Sequence, residues 1–82
     1  MSGEIIMYGT TWCPDCHRAK SFLSSRNITF KWIDIGKDPA ATLEVERMNK
    51  GNRSVPTIVF PDGSILVEPS NAELEKKLFG RG

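Results

Sequence analysis

Both cysteines of the chain fall in one short run, Trp12-Cys13-Pro14-Asp15-Cys16, directly after an isoleucine-rich stretch. Two thiols separated by two residues form a reversible electron store, and in a strand–helix–strand setting C-x-x-C reads as a redox dithiol. Pro14 suits the first turn of a helix, where its missing N–H has no partner to lose. That assignment makes Cys13 the N-cap. Its sulfur then faces the unpaired N–H groups of the first turn, the Cys16 amide among them, at the positive end of the helix dipole. Both effects favour the thiolate, the nucleophilic form of cysteine. Cys16, one turn later and on the core side, is expected to be less exposed and less acidic. The expected chemistry is a division of labour in which Cys13 attacks and Cys16 resolves. Asp15 lies between them and disfavours a neighbouring thiolate, an effect that is small if its carboxylate points to water.

Three other readings of the same residues compete. Two cysteines in a small domain can be incidental packing residues, but Pro14 between them, after a strand and opening a helix, argues against that. Cys13 to His17 also spells C-x-x-C-H, the attachment signature of a c-type haem, with His17 and Met48 as axial ligands. The strand content and the lack of an export signal count against it. Zinc would need a distant ligand pair to complete a tetrahedral set around Cys13, Cys16 and His17, and none is present. No metal is expected.

The elements that must position the dithiol follow from pattern. Glu4–Tyr8 reads as a strand and Thr10-Thr11-Trp12 as a loop. A helix runs from Pro14 to about Arg26, with Cys16, Ala19, Phe22 and Leu23 on one apolar face. Ile28–Ile35 reads as a second strand, in which Trp32 is expected to be core. Asp38-Pro39 opens a second helix that stops near Gly51, with Ala41, Leu43, Val45 and Met48 expected to face a core. Thr57–Phe60 and Ser64–Val67 form a hairpin about Asp62-Gly63. Ser70-Asn71-Ala72-Glu73 is a capping box opening a last helix closed by Gly80. The order β-α-β-α-β-β-α implies an α/β fold, with a parallel first pair and an antiparallel edge.

Composition bounds the rest. Eighty-two residues are expected to make one domain, residues 1–82. The small loop between the cysteines makes their pairing a poor structural staple, so chemistry explains it better. Eleven basic against ten acidic residues, with no basic tract, gives no indication of a nucleic-acid partner. No segment is long and apolar enough to be a signal peptide or to span a bilayer. With so few cysteines a reducing compartment is indicated, and a cytoplasmic location is expected.

Further along, Gly51-Asn52-Arg53-Ser54-Val55-Pro56-Thr57 leads into the third strand. A cis Val55–Pro56 bond would bring the Val55 backbone beside Cys13, where its N–H and C=O can pair with an extended thiol substrate; an ordinary trans proline at a strand start is the alternative. Trp12 can shield the sulfur and contact substrate, or be half-buried packing. Arg53 can steer a carboxylate-bearing thiol, or be a solvated loop charge. Ser70 and Asn71 can hold a polar group at the last helix, although capping alone explains Ser70.

Taken together, Trp12-Cys13-Pro14-Asp15-Cys16, Asn49 to Thr57, Asp62-Gly63 and Pro69-Ser70 resemble the glutaredoxin family over nearly the whole chain, and within it the mycoredoxins most. The resemblance implies a thioredoxin-like (glutaredoxin) fold, with a four-stranded mixed sheet flanked by three helices and Pro56 cis. It implies Cys13 as nucleophile and Cys16 as resolving thiol, reducing protein disulfides or mixed disulfides with a low-molecular-weight thiol. By the same analogy Thr10, Thr11, Trp12, Pro14, Arg53, Val55, Pro56, Ser70 and Asn71 line the thiol-binding groove. No permanently bound cofactor is implied; the co-substrate is mycothiol or glutathione. Thr10 stands where glutathione users often carry lysine, and Glu68-Pro69-Ser70-Asn71 replaces their glycine pair and aspartate, so mycothiol fits at least as well. The partners implied are thiolated or disulfide-bearing proteins, the small thiol, and a thioredoxin-type or mycothiol disulfide reductase acting on a monomer. Two alternatives remain beside this reading: an electron donor of the ribonucleotide reductase type recharged by thioredoxin reductase, and a non-enzymatic iron–sulfur carrier binding its cluster through Cys13 in a dimer.

Overall fold

The computed structural model describes residues 3–80. Its elements are β1 (Ile5–Gly9), α1 (Pro14–Ser25), β2 (Phe30–Asp34), α2 (Pro39–Met48), β3 (Thr57–Val59), β4 (Ile65–Val67) and α3 (Asn71–Phe79). The strands form one mixed sheet in the order β2-β1-β3-β4. β1 and β2 run parallel with Met7 opposite Trp32 and Gly9 opposite Asp34. The β1–β3 and β3–β4 pairs are antiparallel. This is the four-stranded sheet with three helices that the resemblance implies, with strand ends one or two residues shorter or shifted.

Alternation along β1 divides the core in two, because successive strand side chains point to opposite faces. Ile5 and Met7 pack with Ala19, Phe22 and Leu23 of α1, Ile58 of β3 and Leu74 of α3. Tyr8 packs on the other face with Ile35 and with Ala41 and Val45 of α2. Met7, Leu23, Ile58, Leu74 and Val45 are fully buried; each such side chain contributes about 1.5–3 kcal/mol of transfer free energy.

One expectation on α2 fails. Leu43 is 66% exposed rather than core-facing. Ala41, Val45 and Met48 recur at steps of four and three, and so share one stripe; Leu43, two residues from Ala41, is turned to the opposite side. Trp32, expected to be core, is only partly buried, packed against the α1 side of the sheet.

The helix ends explain how the chain turns toward one edge of the sheet. α1 stops where Asn27 takes φ 59°, with its N–H bonded to Ser24 O and the Ile28 N–H to Leu23 O. That pair of bonds is a Schellman motif with asparagine in the left-handed position. α2 stops the same way at Lys50, φ 56°, where the Gly51 N–H reaches Glu46 O at 2.7 Å. α3 opens with both halves of the Ser70–Glu73 capping box in place.

Candidate active site

The dithiol sits where β1 hands over to α1. Cys13 is the N-cap of α1 in extended backbone, with Pro14 in the first turn. Its sulfur accepts the Cys16 N–H at 3.1 Å and lies 3.9 Å from Val55 O. The Cys13 carbonyl accepts the His17 N–H at 3.1 Å, as the first bond of the helix. Both cysteines are free thiols, Cys13 partly exposed and Cys16 buried. Burial first, and then the hydrogen bond with Cys13, pushes the Cys16 thiol up to about 12. One thiol therefore meets solvent over a helix N-terminus, and the other is held protonated in the core. A sulfur placed like Cys13 can attack a disulfide; one placed like Cys16 can follow only after it has lost its proton.

The distal wall is the segment Ser54–Thr57. The Val55–Pro56 bond is cis. Thr57 is fully buried; its hydroxyl donates to Ser54 O at 2.7 Å and accepts the Asn49 amide at 3.0 Å. The Glu68 N–H holds Pro56 O at 2.8 Å from the far side. Asn49 and Thr57 thus brace the backbone that faces Cys13. Sequence reading did not single them out for this, since a lone Asn and Thr eight residues apart carry no motif.

Thr10, Trp12, Arg53 and Val55 come together, with Ile35, Gly36 and Thr42, around a cleft of about 250 Å³. A larger open cleft of about 560 Å³ adjoins it, bringing in Pro39 and Leu43. Trp12 is 73% exposed, which removes the half-buried packing reading. Its ring rests on Gly36, where a methyl group would lie 3.0 Å from Trp12 Cη2. The Thr10 hydroxyl is buried without a hydrogen-bond partner among the described residues. Arg53 is exposed but not free, since its guanidinium pairs with Glu46 of α2.

The remaining expected groove residues are already engaged elsewhere. The Thr11 carbonyl contacts His17 Nε2 at 2.6 Å. That contact occupies the imidazole nitrogen a haem would need, while Met48 packs with the core cluster of α2. Ser70 N–H donates to the Glu73 carboxylate at 2.7 Å, and Ser70 Oγ accepts the Glu73 N–H at 3.1 Å. Asn71 Oδ1 accepts from Arg18 at 2.7 Å, and the same guanidinium donates to Pro69 O at 2.8 Å. Arg18 thereby straps α1 to the β4–α3 connection, a role its place on α1 did not announce. Asp15 points outward, 3.7 Å from Arg18. No group of three or more His, Cys, Asp or Glu side chains among the described residues is placed to hold a metal ion.

The glutaredoxin family model matches residues 5–65. A Mycobacterium tuberculosis protein named for the glutaredoxins is 40% identical over 78 residues, covering 95% of this chain and 93% of that protein. Mycoredoxin 1 of Corynebacterium glutamicum is 34% identical over 75 residues, covering 92% of each. Among solved structures, a thioredoxin-like protein superposes with a TM-score of 0.80 at 29% identity, covering 92% of this chain and all of that one. A glutaredoxin from Archaeoglobus fulgidus superposes with a TM-score of 0.78 at 28% identity, covering 100% of this chain and 89% of that one.

Proposed function

We infer the reaction from family membership: the chain belongs to the glutaredoxin family, has its thioredoxin-like fold, and is a thiol–disulfide oxidoreductase. We propose that it reduces protein disulfides and mixed disulfides through a Cys13 mixed-disulfide intermediate, with a low-molecular-weight thiol as electron source. The observation that carries this is the contrast at the two sulfurs: Cys13 is partly exposed and accepts the Cys16 amide, while Cys16 is buried.

In the first step the Cys13 thiolate attacks one sulfur of the substrate disulfide. A Cys13–substrate disulfide forms, and the other half leaves as a thiolate. A second small thiol, or Cys16, then releases the bound half. The exposed Trp12 ring and the Val55 backbone form the surface against which the substrate lies. Arg53, Thr10, Thr11, Pro14, Pro56, Ser70 and Asn71 complete the proposed groove.

For the small thiol we propose mycothiol ahead of glutathione. Glutathione carries two carboxylates, and mycothiol is an uncharged sugar thiol. The cation at Arg53 is paired with Glu46. At the opening of α3 the Ser70 and Glu73 amides are taken by the capping box, and that end of the groove carries the Glu73 carboxylate. Neither place is ready for an anion. We further propose that the protein acts as a cytoplasmic monomer recharged through a mycothiol disulfide or thioredoxin-type reductase. No helix among the described residues is long and apolar enough to cross a membrane. A reduction assay with mycothiol, glutathione and thioredoxin reductase as alternative electron sources tests the reading. It fails if the thioredoxin reductase arm alone supports turnover.

A further inference from the structure

Gly9, the last residue of β1, has no side chain, and two groups occupy the space above it. A methyl group there would lie 2.6 Å from Trp32 Cη2 and 2.7 Å from Cys16 Sγ. The indole reaches this place because β2 runs parallel to β1 with Trp32 opposite Met7, on the same sheet face as Gly9. Lys20, four residues after Cys16 on α1, holds its ammonium 4.0 Å from the ring centroid, an attractive cation–π contact. The buried sulfur and the edge of the indole thus share the space above Gly9, and a cation lies over the same ring. Sulfur against a ring edge is itself a favourable contact.

We propose that Trp32 is a positioning residue for Cys16: it seats that sulfur away from water and so biases the Cys13 mixed disulfide toward release by a second small thiol rather than by Cys16. This inference rests on the proposed function above. The two exits differ in bonds made and broken. In the internal route Cys16 gives its proton to water, its sulfur bonds to Cys13 Sγ, and the bound thiol leaves as a thiolate. The cysteines end oxidised and the substrate half ends reduced. In the external route the thiolate of a second small thiol attacks the small-thiol sulfur of the mixed disulfide. Cys13 leaves as a thiolate, and the two small thiols end as their own disulfide. A Cys16 held in a dry seat is slow to take the first route, and the second is left open.

The test uses the full chain and a fluorescent thiol as its mixed disulfide, with products separated by mass. In the parent the Cys13 adduct is expected to outlast the internal disulfide. In Trp32→Ala the internal disulfide should become the main early product, and in a Cys13→Ser background Cys16 should alkylate at least about threefold faster, as water reaches a loosened thiol. Trp32→Phe, which keeps a ring in the seat, should restore the parental pattern. A Trp32→Ala chain that partitions and alkylates like the parent overturns the proposal. If Trp32→Ala does not fold, Trp32→Leu carries the same two outcomes. Independently, in Trp12→Phe the emission comes from Trp32 alone, and it should change when Cys16 is oxidised; emission indifferent to that oxidation also overturns the seat. Absence of any Cys13 adduct in the parent would instead refute the proposed function.

Discussion

The Cys16 amide donates to Cys13 Sγ at 3.1 Å, so the backbone of the second cysteine supports the sulfur of the first. That bond survives replacement of the Cys16 side chain, because it belongs to the peptide unit. Cys16→Ser should therefore retain activity on small-thiol mixed disulfides and accumulate an adduct on Cys13. Cys13→Ser should fall to the uncatalysed rate on every substrate. Intact-protein mass and steady-state turnover of the two variants check this.

Gly9 has no room for a side chain. Adding a methyl group drives it into Trp32 and Cys16 at 2.6 and 2.7 Å, distances at which something must move. Gly9→Ala should lose about 1–3 kcal/mol, the usual range for overpacking a core. It should also unseat Cys16. The urea midpoint reports the first effect and Cys16 alkylation the second.

Burial raises the Cys16 thiol from an ordinary 9.0 to about 12. The folded chain keeps that proton through a range where the unfolded chain releases it. The stability this group supplies is complete below about pH 9 and is lost as pH rises from there through about 12. Urea unfolding of the parent should therefore weaken relative to Cys16→Ala as pH rises from about 9 to about 11. A gap that widens with pH would contradict the buried, protonated assignment.

The Arg53–Glu46 pair lies at the cleft, with the arginine side chain 69% exposed. Such pairs are weak in water, so freeing the guanidinium has a modest effect. Glu46→Gln should improve KM for a glutathione mixed disulfide by about two- to fivefold, with no comparable gain for mycothiol. Equal gains for both thiols would contradict the view that the pair withholds a carboxylate site.

What was legible in the sequence was mostly local. Cys13 as N-cap, the Ser70–Glu73 box and the Asp62-Gly63 turn each follow from neighbours within four residues, and all three are present. The exposure of Leu43 is also local: its spacing sets it off the Ala41–Val45–Met48 stripe, so helical periodicity, rather than apolar character, decides its side. The engagement of Arg53 by Glu46, of Asn71 by Arg18 and of Thr57 by Asn49 depends on elements meeting in space. The seat of Cys16 is the extreme case. It needs the β1–β2 register, the missing side chain of Gly9 and the rotation of α1 together, and no single segment encodes it.

In the proposed reaction Cys13 alone of the pair is the attacking sulfur. Limited alkylation of the reduced parent at neutral pH, followed by peptide mass spectrometry, tests it most directly. Label is expected on Cys13, with Cys16 nearly unmodified. Label appearing first on Cys16, or equally on both, would contradict it.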